Sequence, residues 1–227
     1  MKRVFITGDM HGDIEIEKIT RWKKTADDLD RSDLLIVCGD MGFFWDGAGY
    51  DRYIKRYWEQ QPFTVLWIDG NHENFDILDK QPTMTKWDGR VQQCGENIYH
   101  LCRGEIYNFY GKTFFCFGGA TSHDKLRRKE GLTWWSREIP SIEEMKNGCD
   151  HLMGVGNEVD YMITHCADLF TQRMIDPSYE SDELIEYFTN LSNTVIWNKT
   201  WFMGHYHLDR PMPNGVRLIY QDIIQLI

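Results

Sequence analysis

The chain has 227 residues, 35 acidic and 25 basic, for a formal charge of −10. That length suits a single domain over residues 1–227, and a hydrophobic share of 42% excludes a disordered chain. The acidic balance argues against non-specific nucleic-acid binding, which needs a basic face, and no apolar stretch is long enough to span a bilayer.

Val4-Phe5-Ile6 reads as a short strand that stops at Gly8 and leads into Asp9-Met10-His11. A cleavable leader here would remove Asp9 and His11, so a cytoplasmic location is expected. Ile14, Ile16, Ile19 and Trp22, with charges between, form a helical pattern. Leu34 to Val37 is a second strand, running into Gly39-Asp40. A loop rich in glycine and aromatics follows, Gly42 to Gly49, and then a helix with Tyr53, Ile54 and Trp58 expected on one face. Val65 to Ile68 is a third strand, ending at Gly70-Asn71-His72-Glu73. This β-α-β-α-β order predicts a largely parallel sheet with helices outside it, and such sheets gather ligands at the carboxyl ends of their strands.

Further on, Ile98 to Leu101 and Glu105 to Phe117 read as strands, with a hairpin turn at Tyr110-Gly111-Lys112. Ser141 and Glu144 have capping-box spacing and open a helix toward Asn147. Tyr161 to Ile163 is a strand leading to Thr164-His165. Asp182 to Leu191 is an amphipathic helix, and Trp201 to Met203 is a strand ending at Gly204-His205-Tyr206-His207. Val216 to Ile227 reads as one or two strands, with an interruption at Gln221-Asp222. The expected fold is α/β: a four-layer αββα sandwich of two mixed β-sheets flanked by helices, with a metal site at the strand C-terminal ends. The six cysteines have no paired CxxC spacing, and all are expected to be reduced, with Cys38 and Cys116 buried in strands.

Taken singly, a histidine at a strand end is usually a hydrogen-bonded structural residue, and Asp beside Gly is often a turn. Here Asp9, His11, Asp40, Asn71, His165, His205 and His207 all lie at such tips. Residues i and i+2 share a face of an extended chain, so Asp9 and His11 aim at one point. This set exceeds what one tetrahedral or octahedral ion takes from protein. Two divalent metal ions sharing the Asp40 carboxylate use all the donors and leave positions for water and substrate. Nitrogen and oxygen donors without thiolate favour manganese, iron, zinc, nickel or cobalt over calcium. Manganese is the first expectation.

With these motifs in this order, the chain resembles the calcineurin-like metallophosphoesterase superfamily. That pattern is D-x-H, G-D, G-N-H-[DE], a histidine after a strand, and G-H-x-H. It stands here as Asp9-Met10-His11, Gly39-Asp40, Gly70-Asn71-His72-Glu73, Thr164-His165 and Gly204-His205-Tyr206-His207. Thr164 replaces the usual glycine. The resemblance implies one metal on Asp9, His11, Asp40 and His207, the other on Asp40, Asn71, His165 and His205, and a bridging water or hydroxide as nucleophile. It also implies that His72 sits over the substrate as phosphate contact or general acid. Catalysis would then centre on Asp40 and His72. Glu73 and nearby carbonyls are expected to orient the imidazoles.

The phosphoprotein-phosphatase branch carries G-D-x-x-D-R-G, where the second Asp orients the catalytic histidine and the Arg binds phosphate. Phe43 and Phe44 stand at those positions here, which counts against a phosphoprotein phosphatase, and Asp46 is the nearest substitute for the missing Asp. The stretch Gly118-Gly119-Ala120-Thr121-Ser122-His123-Asp124-Lys125-Leu126-Arg127-Arg128 resembles a segment of bacterial and phage metallophosphoesterases whose substrates are poorly assigned. It reads either as a cap whose Arg127 or Arg128 steers phosphate, or as a solvated turn with Asp124 paired to an arginine. Trp134 and Trp135 read either as base-stacking or as packing residues.

The expected activity is dinuclear metal-dependent hydrolysis of a small, nucleotide-like phosphodiester or phosphomonoester, with Asn71, His72, Arg128 and Arg127 contacting the substrate. The alternatives are a catalytically silent scaffold of the same fold that binds protein, a metal-dependent nuclease, and a phosphoprotein phosphatase. The sequence leaves the oligomeric state open.

Overall fold

A computed structural model describes residues 2–227. Its first half winds as expected. Strands β1 (Val4–Thr7), β2 (Leu34–Val37) and β3 (Thr64–Trp67) are parallel neighbours, linked through helices α1 (Ile16–Lys23) and α2 (Gly49–Glu59). A short helix α3 (Phe75–Leu78) follows. Then come β4 (Thr83–Lys86), β5 (Gly89–Gly95) and β6 (Ile98–Leu101), of which β6 adds parallel to β3. The β4–β5 hairpin was not legible in the sequence. Its turn residues, Trp87 and Asp88, both take positive φ, the geometry of a tight two-residue hairpin without the usual Asn-Gly signal.

The second sheet begins with the hairpin β7 (Glu105–Phe109) and β8 (Lys112–Phe117), turning at Tyr110-Gly111 as expected. Helix α4 (Ile142–Gly154) starts with the full capping box of Ser141 and Glu144 and runs well past Asn147. After β9 (Glu158–Val159) come β10 (Tyr161–Thr164), α5 (Leu169–Ile175), α6 (Glu183–Thr194), β11 (Ile196–Trp197) and β12 (Trp201–Met203). The chain closes with β13 (Arg210–Pro211), β14 (Val216–Leu218) and β15 (Ile223–Gln225). The orders are β15-β1-β2-β3-β6-β5-β4 and β13-β14-β12-β10-β8-β7, and β9 pairs with β11 in a small third sheet.

The interruption at Gln221-Asp222 is where the chain leaves one sheet for the other. The Asp209 carboxylate pins this crossing by accepting the N–H groups of Tyr220, Gln221 and Asp222.

Alternation along the strands sets the layers. Ile6, Ile36 and Leu66 face Phe114, Ile163 and Phe202 between the sheets. Phe5, Val37 and Trp67 face outward under Ile19, Ile54 and Trp58 of α1 and α2. Phe117, Met162 and Trp201 meet Leu152, Leu184 and Phe188 of α4 and α6. Three apolar layers between four layers of backbone make an αββα sandwich, and strands buried on both faces read as unbroken apolar runs. Tyr53 departs from the expected helix face: it is exposed while Ile54 and Trp58 are buried, because a step of one residue turns it about 100° off the stripe they define. Ile14 precedes α1 and is 74% exposed. The six cysteines are all free thiols. Among the described residues no helix is long and apolar enough to cross a membrane.

Candidate metal centre

The parallel strands β1, β2, β3, β10 and β12 end at one edge of the sandwich, and the segments after them supply the chemistry. Glycine at the tips is a packing requirement. A Cβ on Gly39 would run into the His165 ring, one on Gly70 into the Asp40 carboxylate, and one on Gly204 into the Asp9 carboxylate. His165, Asp40 and Asp9 thus each occupy space that a neighbouring tip leaves by lacking a side chain. His11, Asp40, His205 and His207 hold φ of 40°, 47°, 66° and 50°, a left-handed backbone that non-glycine residues adopt at a cost. That strain turns their side chains out of the strand direction and onto one centre.

Three overlapping groups result: Asp9 with His11 and His207, Asp40 with His165 and His205, and His11 with Asp40 and His72. Asp40 joins them. Its Oδ2 lies 3.4 Å from Nε2 of His11 and 3.4 Å from Nε2 of His165, while its Oδ1 accepts the His72 N–H at 2.8 Å. Asp9 Oδ2 is 3.2 Å from His207 Nε2, and both Asp9 oxygens receive the His205 N–H. Asn71 Oδ1 is 3.3 Å from His165 Nε2. Nε2 of His165 therefore faces two acceptor oxygens at long range with at most one proton to offer. Such donors surround common points instead of pairing off, which fits divalent cations.

Partners behind the ligands set their orientation. His165 Nδ1 donates to the Cys38 carbonyl at 2.7 Å, leaving Nε2 for the centre. His11 Nδ1 meets Glu15 Oε2 at 3.3 Å, and Glu15 accepts the Tyr220 hydroxyl on its other oxygen. The His207 ring stacks on Tyr220 with centroids 4.6 Å apart. Asn71 Nδ2 donates to Ser122 Oγ at 3.1 Å, and Ser122 donates in turn to Glu138 at 2.6 Å. This chain fixes which amide atom of Asn71 faces His165. Buried Lys18 donates to the carbonyls of Gly8, Asp9 and Tyr220, tying the first tip to the crossing near the C-terminus.

Sequence reasoning missed Glu15, Lys18, Tyr220, Ser122 and Glu138. Lys18 carried a signal, since it falls between Ile14 and Trp22 at helical spacing on the apolar stripe, and Ser122 stood in the Gly118 to Arg128 segment without a role of its own.

Two expected orienting residues do other work. Glu73 is buried, but its carboxyl accepts the Met41 N–H at 2.7 Å and touches no imidazole, so it secures the loop after Asp40. Burial, and then the Asp40 charge, push its pKa well up. Asp46 is exposed and accepts the N–H groups of Ala48 and Tyr50 at the start of α2, so it does not replace the missing motif Asp beside His72. Arg127 is exposed on the surface. Arg128 is both paired and placed at the centre: Nε binds Asp124 at 2.6 Å, and Nη1 reaches His72 Nδ1 at 3.2 Å and the Thr133 carbonyl at 3.1 Å. Trp135 is a packing residue, buried against Trp45 and bonded to Asp76.

Burial alone would raise the Asp9 and Asp40 carboxyls. His207 and His165 around Asp9, and His165 and His11 around Asp40, outweigh it and hold both below the usual range. The same pairs act on the rings. Burial lowers His11, but Asp40 and Glu15 lift it to about 10, and burial lowers His165, but Asp40 lifts it to about 9. His205 falls to about 3 through burial and the nearby His165 charge.

On its own charges the protein thus keeps protons on His11 and His165 at neutral pH, where cations must compete for them. A raised histidine pKa adds stability below the unfolded value and loses it as pH climbs through the folded value. Chelator-treated protein is therefore expected to lose melting temperature between about pH 7 and pH 10, whereas protein saturated with Mn²⁺ keeps it. Calorimetry in buffers of different ionisation enthalpy should show proton release on loading near pH 7. Loading without proton release would contradict the pairing.

The family model for calcineurin-like phosphoesterases matches residues 2–209. No curated protein matches the chain. A solved crystal structure aligns over 96% of this chain and 89% of its own, with a TM-score of 0.51 and 11% identity, a likeness of fold.

Proposed function

The chain belongs to the calcineurin-like phosphoesterase family, and we propose that it is a dinuclear metal-dependent hydrolase of small phosphoesters, nucleotide-like diesters or monoesters. The observation that carries this reading is Asp40, whose single carboxylate oxygen lies 3.4 Å from an imidazole of each ligand group. One site is assigned to Asp9, His11, Asp40 and His207, the other to Asp40, Asn71, His165 and His205, with manganese as the first choice of ion.

Bound there, two cations supply Lewis-acid activation of water and neutralise charge on the phosphoryl oxygens. The chain's own groups do the rest. Arg128 keeps one terminal nitrogen, Nη2, free of the bonds that hold Asp124, His72 and Thr133, and offers it to a phosphoryl oxygen. An arginine only donates, so His72 Nδ1 accepts and the ring presents its Nε2–H on the opposite side. That N–H stabilises the charge developing on the departing ester oxygen as a hydrogen-bond donor.

The test compares bis-p-nitrophenyl phosphate, a nucleotide and a phosphopeptide with Mn²⁺-loaded and chelator-treated protein. Turnover of the diester or nucleotide that vanishes on chelation and returns with Mn²⁺ is expected. Preference for the phosphopeptide would overturn the substrate class. Two bound ions with no turnover of any ester would favour the silent scaffold.

A further inference from the structure

Two cavities border the ligand cluster, one at His205 and one at His11, and they differ in chemistry. One, of about 580 Å³, includes His205 and His123 and is rimmed by Asp176, Glu180 and Asp182. The other, of about 440 Å³, includes His11, His72 and Arg128 and is walled by Ile14, Trp45 and Tyr50. Both are of a size that holds small ligands.

The second cleft is built rigidly. Tyr50 donates its hydroxyl to Asp13 Oδ1 at 2.9 Å and accepts the Asp13 N–H at 3.2 Å. Trp45 is pinned through its backbone by Asp51 and Asn74 and packs edge-on against Trp135 at 6.0 Å. The floor is bare backbone: a Cβ on Gly12 would strike the Tyr50 hydroxyl, and one on Gly42 the backbone of Gly12. Ile14 stands at the mouth with 74% of its surface exposed, an isolated apolar side chain with no core to join.

We propose that this cleft is the leaving-group site, and that it takes a planar, uncharged ring between Trp45, Tyr50 and Ile14. The proposal rests on the phosphoesterase reading above. Position argues for it: the cleft lies on the side of His72, the group that faces the departing oxygen, and shares Arg128 with the phosphoryl group. Composition argues for it too. An apolar aromatic wall gains from burying a flat ring, whereas the acid-rimmed cavity beside His205 would repel a second anion and suits a hydroxylated or cationic arm.

Binding tests the proposal apart from turnover. Phenylphosphonate, methylphosphonate and the non-hydrolysable 5′-methylenephosphonate analogue of adenosine 5′-monophosphate are titrated calorimetrically into Mn²⁺-loaded wild-type, Ile14→Ser and Trp45→Ala proteins. The first or the last ligand should bind at least about tenfold tighter than methylphosphonate, the gain expected for burying one ring. Whichever of the two gains more separates an aryl ester from a nucleotide. Both substitutions should shrink that ratio to about twofold or less. Ile14 is exposed, so its variant keeps the comparison valid if Trp45→Ala fails to fold. Equal affinity for all three ligands in the wild type, or a ratio unmoved by Ile14→Ser, would overturn the proposal. Failure of methylphosphonate itself to bind the loaded protein would count against the phosphoesterase reading instead.

Discussion

Asp40→Asn is expected to strip both metal ions from the protein and to abolish hydrolysis with them. Asp40 Oδ2 is the one oxygen placed 3.4 Å from an imidazole in each ligand group, and it is buried beneath both. Asparagine is isosteric and keeps an acceptor for the His72 N–H, so the backbone of the third tip should stay where it is. What disappears is the charge. Two cations would then share one fewer anion, and the His11 and His165 rings would lose the partner that raises both.

Altering a residue behind the ligands typically costs about 10–100-fold in metal affinity, so loss of a shared ligand should exceed that at both ions. Elemental analysis after loading should read about two equivalents for the wild type and well under one for the variant, with circular dichroism checking the fold. A variant that kept two ions would remove Asp40 from the shared position. A variant that lost only one would leave two separate sites.

The seven proposed ligands could be picked out because their chemistry is local: each motif pairs a strand end with a glycine or threonine and a donor, and each piece is contiguous in sequence. The fold class was legible for the same reason, since strands buried on both faces are unbroken apolar runs. What lay beyond reach was set by distant pairing. Glu15 meets Tyr220 across the whole chain, and Ser122 meets Asn71 from another sheet. Nothing near Ser122 announces that its hydroxyl will orient a ligand. Asp46 misled because a carboxylate after the second motif suits two tasks, and here it is taken up by the N–H groups of Ala48 and Tyr50. Tyr53 misled because neighbours on a helix point apart even when both are apolar. The segment containing Arg128 left two readings open, and both hold: the arginine is paired to Asp124 and still stands against His72.

His72→Ala is expected to leave both ions in place while kcat falls by about 10²–10³-fold, the usual cost of removing one hydrogen-bond donor aimed at developing charge. His72 lies within reach of His11 and Asp40 and so resembles a further ligand. Two features separate it from the ligands. Its contact with Asp40 runs through the backbone N–H, which alanine retains. Its Nδ1 lone pair is occupied by Arg128, which can only donate, so the neutral ring carries its proton on Nε2 and has no free lone pair for a cation. Burial lowers the His72 pKa, and Arg128 and His11 add to this against the pull of Asp40, which keeps the ring neutral.

The substitution therefore removes a donor to the reacting ester and nothing from the metal sites. KM should move far less than kcat, since the group is used most as charge develops on the departing oxygen. Esters with better leaving groups need less help there, so the defect should shrink from a phenyl to a p-nitrophenyl ester. Metal content below two equivalents in His72→Ala, or a defect equal for both esters, would show that the ring acts as a ligand or as a ground-state contact instead.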